Sequence, residues 1–577
     1  MANHPSRSRH ACVQACNLHF FSLFATTVCG RGQTAKLPAS ADTDLLEATI
    51  PQIEAFYQSH RYTVTQVTRW YLARIHRYNG IYRDIETLDE QGALAAAARL
   101  DREGPGAHPT PLWGIPMVIK ANTSIEGLVT TDGWKGYTIP GHELIAPKDA
   151  PIVARLRAAG AVLLGHTNMP DFAASDTNRS SSFGRTGNAY DVRFSPGGSS
   201  GGTVTAVTSN EAVLGNGTDT GNSIRMPAAT SSVVGVFPTR GLVPIAGIAP
   251  LDWLLDNTGP IARNVTDAAI ALGVMAGPDP ADPRTTEAAT KAMPGPYTQY
   301  LKKDALKGKR FGVPAFILAG AGIPFQGVCP ESPEKFAEDR QNAVVPLEPE
   351  TRAAFLKSLD GLRAAGAEIV FSDDILPDSF AEIAAHTCTL RYIQQGTETF
   401  LASYGPAEYH SSEQYAKAVG SPLPGTIING MNDGSRKDRT PIIETTLETD
   451  PNAEATYFRP RRDALFAYND ALTRFHLDGF AYPATQMPPP DETMPQKGEA
   501  GNISGGPHSD TSWVNILGVP AIVVPGGFYP SGLPFGLEIS AQSWHDGNLL
   551  GYAYAYEQQT HHRRPPVLVE KGLLTAR

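Results

Sequence analysis

Apolar residues recur at helical spacing through DLLEATIPQIEAFYQSHRYTVTQVTRWYLARIHRYNG, residues 44–80, and through GALAAAARLDREG, residues 92–104. The period predicts a packing layer of helices over 42–105, with Gly80 as a stop. After Pro109 the texture changes. PLWGIPMVIKANTS predicts a short strand, Met117 to Ile119, running into Lys120. DAPIVARLRAAGAVLLGHTNMP predicts a helix from Ala150 to Ala159, a glycine stop and a strand. VVGVFPTRGLVP followed by NTGPIARNVTDAAIALGVMAG predicts strand, turn and helix, and RAAFLKSLDGLRAAGAEIVFSDD predicts helix then strand. GFAYPATQ and VPAIVVPGGFY have the short apolar runs of buried strands, and GNLLGYAYAYEQQT predicts a terminal helix. Helices alternating with strands point to the α/β class.

One segment resists this reading. GNGTDTGNSIRMP, residues 215–227, has no apolar run, and the pattern assigns it to neither an amphipathic helix nor an ordinary strand. With the glycine- and hydroxyl-rich PGGSSGGTVTAV (196–207) it predicts polar loops inside an apolar framework.

The chain has 577 residues, 41% hydrophobic and 18% charged, which fits a globular protein. No internal repeat or low-complexity linker divides it. The organisation expected is a leader over 1–41 and a single domain over 42–577. Within that domain we expect a helical layer (42–105), a catalytic core (110–275), a variable insertion region (276–440) and a C-terminal core (441–577). A net charge of −10 argues against a general nucleic-acid binder. No apolar stretch is long enough for a membrane span. Arg7 and Arg9, the apolar run from Leu18 to Val28 and the Ala39-Ser-Ala41 site have the layout of a secretory signal. They predict a secreted or periplasmic protein, with a cytoplasmic one as the alternative. The five cysteines, Cys12, Cys16, Cys29, Cys329 and Cys388, form no CxxC and no zinc spacing with histidine. No metal and no cofactor is expected. Removal of the leader would leave Cys329 and Cys388, and one disulfide between them stays open.

Two motif readings of the glycine loops fail. GGSSG fits G-x-S-x-G, but FSPGG is a poor preceding strand for a nucleophile elbow. GNGTDTG has the wrong spacing for a dinucleotide fingerprint. A third reading fits. Ser223 follows Gly221-Asn222 in a segment able to turn several N–H groups toward one point, as an oxyanion requires. Ser199 and Ser200 sit on a second glycine-bent loop. Lys120, at the end of a buried strand, would have a lowered pKa and act as a base. A lysine–serine–serine relay activates an alcohol without histidine.

These segments together resemble the amidase signature family. The resemblance rests on Gly197-Gly-Ser-Ser-Gly-Gly202, Gly217-Thr-Asp-Thr-Gly-Asn-Ser-Ile-Arg-Met-Pro-Ala228, GIPMVIK ending at Lys120, GAVLLGHTNMPDFA, NTGPIARNVTDAA and LGVPAIVVPGGF with GLPFGLEI. It runs from about Leu45 to the end, with a divergent middle. It implies an amidase-signature fold, a large mixed, mostly parallel twisted sheet covered by helices on both faces. It also implies hydrolysis of a small-molecule amide by Ser223, bridged through Ser199, on a cis peptide, to Lys120. Thr220, Gly221, Asn222 and Ser223 match the oxyanion hole. Asp219 and Arg225 match positions that brace the loop, and Ser200 matches a supporting serine. Two departures stand out: Asn222 where the family usually has glycine, and Ala121 where it often has aspartate. Alternatives are the A subunit of a tRNA-dependent amidotransferase and an inactive binding relative. A homodimer is compatible with the sequence. Among the histidines only His508, in SGGPHSD, is placed near the pocket. Trp253, Tyr392 and Tyr404 are candidates for its wall, with core packing as the competing role.

Overall fold

A computed structural model describes residues 40–107, 109–320, 332–342, 345–428, 445–493 and 507–566. The expected leader, Cys329 and parts of the variable insertion region lie outside the described residues. Ala39 to Arg577 groups as one compact unit.

The described residues form one eleven-stranded sheet and a separate two-stranded one. The strands of the large sheet are β1 (Ile85–Leu88), β2 (Pro116–Lys120), β3 (Val162–Thr167), β4 (Leu214–Asp219), β5 (Val234–Phe237), β6 (Asn257–Ala262), β7 (Arg310–Gly312), β8 (Glu368–Val370), β9 (Gly479–Pro483), β10 (Ala521–Phe528) and β11 (Pro534–Ser540). Their order across the sheet is β1-β3-β2-β4-β6-β5-β10-β11-β9-β7-β8. The sheet is mixed. Two trios, β3-β2-β4 and β9-β7-β8, are parallel. The strands between those trios pair antiparallel, and so does β1 at its edge.

Every residue of β2 to β6, β9 and β11 is buried, as expected of strands covered on both faces. Helices α1 (Val64–Tyr82) and α2 (Glu90–Glu103) supply the N-terminal layer. A capping box between Thr63 and Gln66 starts α1. Gly80 does not stop it. The helix continues to Tyr82 and ends where Arg83 turns left-handed, with φ 55°. Gly80 has open space around its Cα, so helical backbone costs it only the usual ~1 kcal/mol relative to alanine. Helices α3 (Gly201–Thr208) and α4 (Arg225–Thr230) bury Val204, Val207, Ala228 and Ala229 against Val523 of β10. Its neighbour Val524 meets the other face, beside Glu557 and Thr560 of α5 (Asp546–Thr560).

The polar segment turns out to be half strand. Leu214 to Asp219 is β4, fully buried, with β2 on one side and β6 on the other. Hydropathy misses it because its packing uses the absence of side chains. A Cβ on Gly215 would lie 2.7 Å from Thr203 Cγ2, and one on Gly217 2.7 Å from Ile261 Cδ1. The alternate residues, Asn216 and Thr218, spend their polar atoms on the lysine strand.

Candidate active site

Lys120 is the last residue of β2, and its side chain is fully buried. Its Nζ donates to Ser199 Oγ at 2.7 Å, Thr218 Oγ1 at 2.7 Å, Ser200 Oγ at 3.1 Å and the Thr218 carbonyl at 3.4 Å. All four partners are neutral oxygens. Burial therefore dominates and lowers the Lys120 pKa to about 7, against the pull of Asp132, Asp219 and Asp256. The two serines sit where the loop enters α3, and the Gly198–Ser199 peptide is cis. The Ser200 hydroxyl also donates to the Thr218 carbonyl at 3.2 Å, which ties the serine loop to β4.

Ser223 follows β4 on the turn leading into α4. Its carbonyl accepts from the Ser200 N–H at 3.1 Å, so the two loops are joined through the backbone. Among the described residues no hydrogen bond joins the Ser199 and Ser223 hydroxyls. The structure thus brings Lys120, Ser199 and Ser200 into direct contact and places Ser223 on the adjoining loop. Ser199 and Ser200 are sealed, whereas Ser223 and Asn222 retain 6% and 9% exposure, which puts the accessible side of the site at 222–223.

The turn is shaped by Arg225. Its Nη2 donates to the Gly221 carbonyl at 2.8 Å. A trans peptide points its C=O and N–H in opposite directions, so this bond turns the Asn222 N–H away from the guanidinium. In the same way the Asn222 carbonyl accepts from the Met226 N–H, and the Ser223 carbonyl is held by Ser200. The N–H groups of Gly221, Asn222 and Ser223 donate to no described residue, which leaves them available to a developing anion. Asn222 is not left-handed, so its replacement of glycine needs no tolerance of positive φ.

Arg225 pairs with Asp219 at 3.0 Å and with Glu538 at 2.7 Å, and all three side chains are fully buried. It also donates to Thr511 and to Asn515 Oδ1. Burial opposes ionisation of Asp219, but the guanidinium holds its carboxyl below the usual range. Burial, with Asp219 adding to it, raises Glu538 to about 7 despite the same guanidinium.

A family model described as Amidase matches residues 66–326 and 325–550. The chain is 31% identical over 516 residues to the A subunit of the glutamyl-tRNA(Gln) amidotransferase of Koribacter versatilis, covering 89% of this chain and 98% of that protein. It is 34% identical over 500 residues to the corresponding protein of Chlorobium phaeobacteroides, covering 84% and 93%. Its fold matches the peptide amidase of Stenotrophomonas maltophilia with a TM-score of 0.69 and 30% identity, over 90% of this chain and 98% of that one.

The chain belongs to the amidase family.

Several residues of this amidase that touch the site were not singled out from sequence. Thr218, Asn515, Glu538 and Thr511 are buried polar groups far apart in the chain that meet only through folding. Asp132, whose N–H donates to the Ala121 carbonyl, puts a carboxyl in the field of Lys120 although position 121 carries none. Asp176 lies beside Asn222 and within the field of His508, which gives that histidine a neighbour at the nucleophile loop. Trp253, Tyr392 and Tyr404 are packing residues. Trp253 donates to the Tyr392 carbonyl, Tyr392 donates to Asp450, and Tyr404 stacks on Phe400. Cys388 is disulfide-bonded, and its partner falls outside the described residues. Among the described residues no cluster of three or more histidine, cysteine or acidic side chains could hold a metal ion.

Proposed function

We propose that the amidase cleaves a carbon–nitrogen amide bond through an acyl-enzyme, with Ser223 as nucleophile, Ser199 as relay and Lys120 as base. The observation that carries this reading is the buried Lys120 amine, 2.7 Å from Ser199 Oγ and neutral above about pH 7. A neutral amine keeps one lone pair. It accepts the Ser199 proton as Ser199 takes the proton of Ser223. The Ser223 Oγ–carbon bond forms as the carbonyl π pair moves onto oxygen. The Asn222 and Ser223 N–H groups, with those of Thr220 and Gly221, bind that oxyanion, each donor contributing about 3 kcal/mol. The proton returns through Ser199 to the leaving nitrogen, the C–N bond breaks, and water repeats the sequence to release the acid. The Ser199–Ser223 contact tightens in the substrate complex, as catalytic hydrogen bonds commonly do.

A screen of aryl, aliphatic and peptide amides against wild type and Ser223→Ala tests this reading. Wild type should turn over at least one class and label with a fluorophosphonate. Ser223→Ala should do neither, and full activity in that variant would defeat the assignment.

A second reading, the A subunit of a tRNA-dependent amidotransferase, draws support from the near full-length similarity to such proteins. Co-purification with tRNA and a second protein chain is its test.

A further inference from the structure

The turn over residues 220–223 leaves the sheet at the end of β4. β4 and β6 run antiparallel, and Asp219 pairs with Asn257 at the end of their ladder. One step further Thr220 faces Asp256, where the strand pairing has stopped. Their side chains continue it: Thr220 Oγ1 donates to Asp256 Oδ1 at 2.5 Å. A hydroxyl bonded to a carboxylate at that distance makes a strong, charge-assisted contact.

Asp256 is itself held in place. Its Oδ1 also accepts from the Asp252 N–H at 3.3 Å, and its Oδ2 accepts from the Leu251 N–H at 3.1 Å. The Asp252 carbonyl in turn accepts from the Leu255 and Asp256 N–H groups at 2.8 and 2.7 Å, which closes 251–256 into a tight loop. Thr220 and Asp256 are buried with the same slight exposure as Ser223.

Threonine is β-branched and stiff at χ1, so holding its Oγ1 also holds its Cβ and the backbone beneath. Asn515 Nδ2 donates to the Asp219 carbonyl at 3.0 Å, which aims the Thr220 N–H the opposite way across a trans peptide. Further along, Arg225 holds the Gly221 carbonyl and the Ser200 N–H holds that of Ser223. Asp256 therefore fixes the start of a turn whose later peptides are fixed from other elements.

We infer that Asp256 is a positioning residue for the oxyanion hole, acting through the Thr220 hydroxyl to set the direction of the first N–H groups of the turn. This rests on the amidase reading of the same site. Donors aimed at a developing anion act in the transition state, so losing this bond lowers kcat and spares KM.

The test compares Thr220→Val, Thr220→Ser, Asp256→Asn and the Thr220→Val/Asp256→Asn double variant with wild type. It uses an amide that wild type turns over and the trifluoromethyl ketone of the same acyl group, whose adduct with a serine carries an oxyanion. Thr220→Val keeps the side-chain shape without the hydroxyl; it should lower kcat about 10- to 100-fold, keep KM within about twofold and weaken the ketone by the same factor as kcat/KM. Thr220→Ser should recover most of that loss. The double variant should fall no more than about threefold below the weaker single one, since both remove one interaction. Circular dichroism checks folding, and should Asp256→Asn unfold, the Thr220 variants decide the outcome, because they leave the 251–256 loop bonds intact. Turnover by Thr220→Val within about twofold of wild type, losses that multiply in the double variant, or a fall in kcat with ketone affinity unchanged would each overturn the inference. Wild type that labels with a fluorophosphonate and turns over, beside an equally active Thr220→Val, sinks the Asp256 role alone. Wild type with neither labelling nor turnover sinks the amidase mechanism.

Discussion

Two lysines at strand ends of the same sheet titrate in opposite directions. Lys309 immediately precedes β7 and bonds to Asp478 at 2.8 Å with both side chains partly exposed. The hydrogen bond from Lys309 to Asp478 raises the lysine's pKa against an opposing desolvation. Lys120 has three carboxyl groups in its field, yet its pKa falls to about 7. Proximity of charge does not decide the outcome. Asp219 is committed to Arg225 and two backbone N–H groups. Asp256 accepts from the Thr220 hydroxyl at 2.5 Å and from two more N–H groups. The atoms that touch the Lys120 amine are neutral oxygens, which stabilise its charged form far less than a contacting carboxylate would. Asp219 and Asp256 are already engaged and burial pushes the Asp132 carboxyl up toward its neutral form, which leaves a lysine basic enough to take a proton and neutral enough to do so at ordinary pH.

The comparison breaks most sharply at Lys120 itself. Lys120→Ala should lower kcat by about 10³-fold or more, and Lys120→Arg should do the same because guanidinium does not deprotonate. Turnover of a responsive amide, with circular dichroism to confirm folding, checks both. Next comes the pair that engages Asp219. Arg225→Met leaves two carboxyls buried without their cation and should cost about 3–5 kcal/mol of stability, read from denaturant unfolding. It should also lower kcat, because the Gly221 carbonyl loses its anchor.

pH sharpens the contrast. With its pKa depressed to about 7, Lys120 must lose its proton to act, so kcat/KM should fall about tenfold per pH unit below 7 and level off above. A profile flat through pH 7 would contradict the base assignment. For stability the unfolded chain binds more protons at this lysine between about pH 7 and its ordinary value of 10.5, so burial of Lys120 becomes less costly as pH rises through that window. Lys309 has the opposite sign: its support is present at neutral pH and is lost as pH rises through its elevated pKa. The smallest effect is expected there. Lys309→Ala should change stability by less than about 1 kcal/mol and leave turnover unchanged.

Legibility in the sequence followed the same division. β2 and Lys120 could be read because the strand is apolar up to its last residue. β3, α5 and the capped start of α1 carry ordinary periodic or capping signals. β4 could not be read, because its inward positions are glycines and its others polar. β1 was hidden inside a region whose helical period dominates, and β7 is only three residues long, whereas β8, equally short, could be read because it follows a clear helical period and a glycine stop. At the site, the local motif named Lys120, Ser199, Ser200, Asp219, Ser223 and Arg225. The partners that position them were not readable, since Arg225 finds Thr511, Asn515 and Glu538 about three hundred residues away. Asp176 and Asp132 are single acids in loops, and only the fold reveals what they face.

Gly217 governs a spacing as well as a packing contact. An added methyl there would stand 2.9 Å from Ser200 Oγ and 2.8 Å from Ile224 Cγ1, between the serine loop and the turn that carries Ser223. A gap the size of one carbon therefore sets the separation of the reactive groups. The smallest possible enlargement of this strand would wedge the two loops apart while every reactive side chain stayed in place.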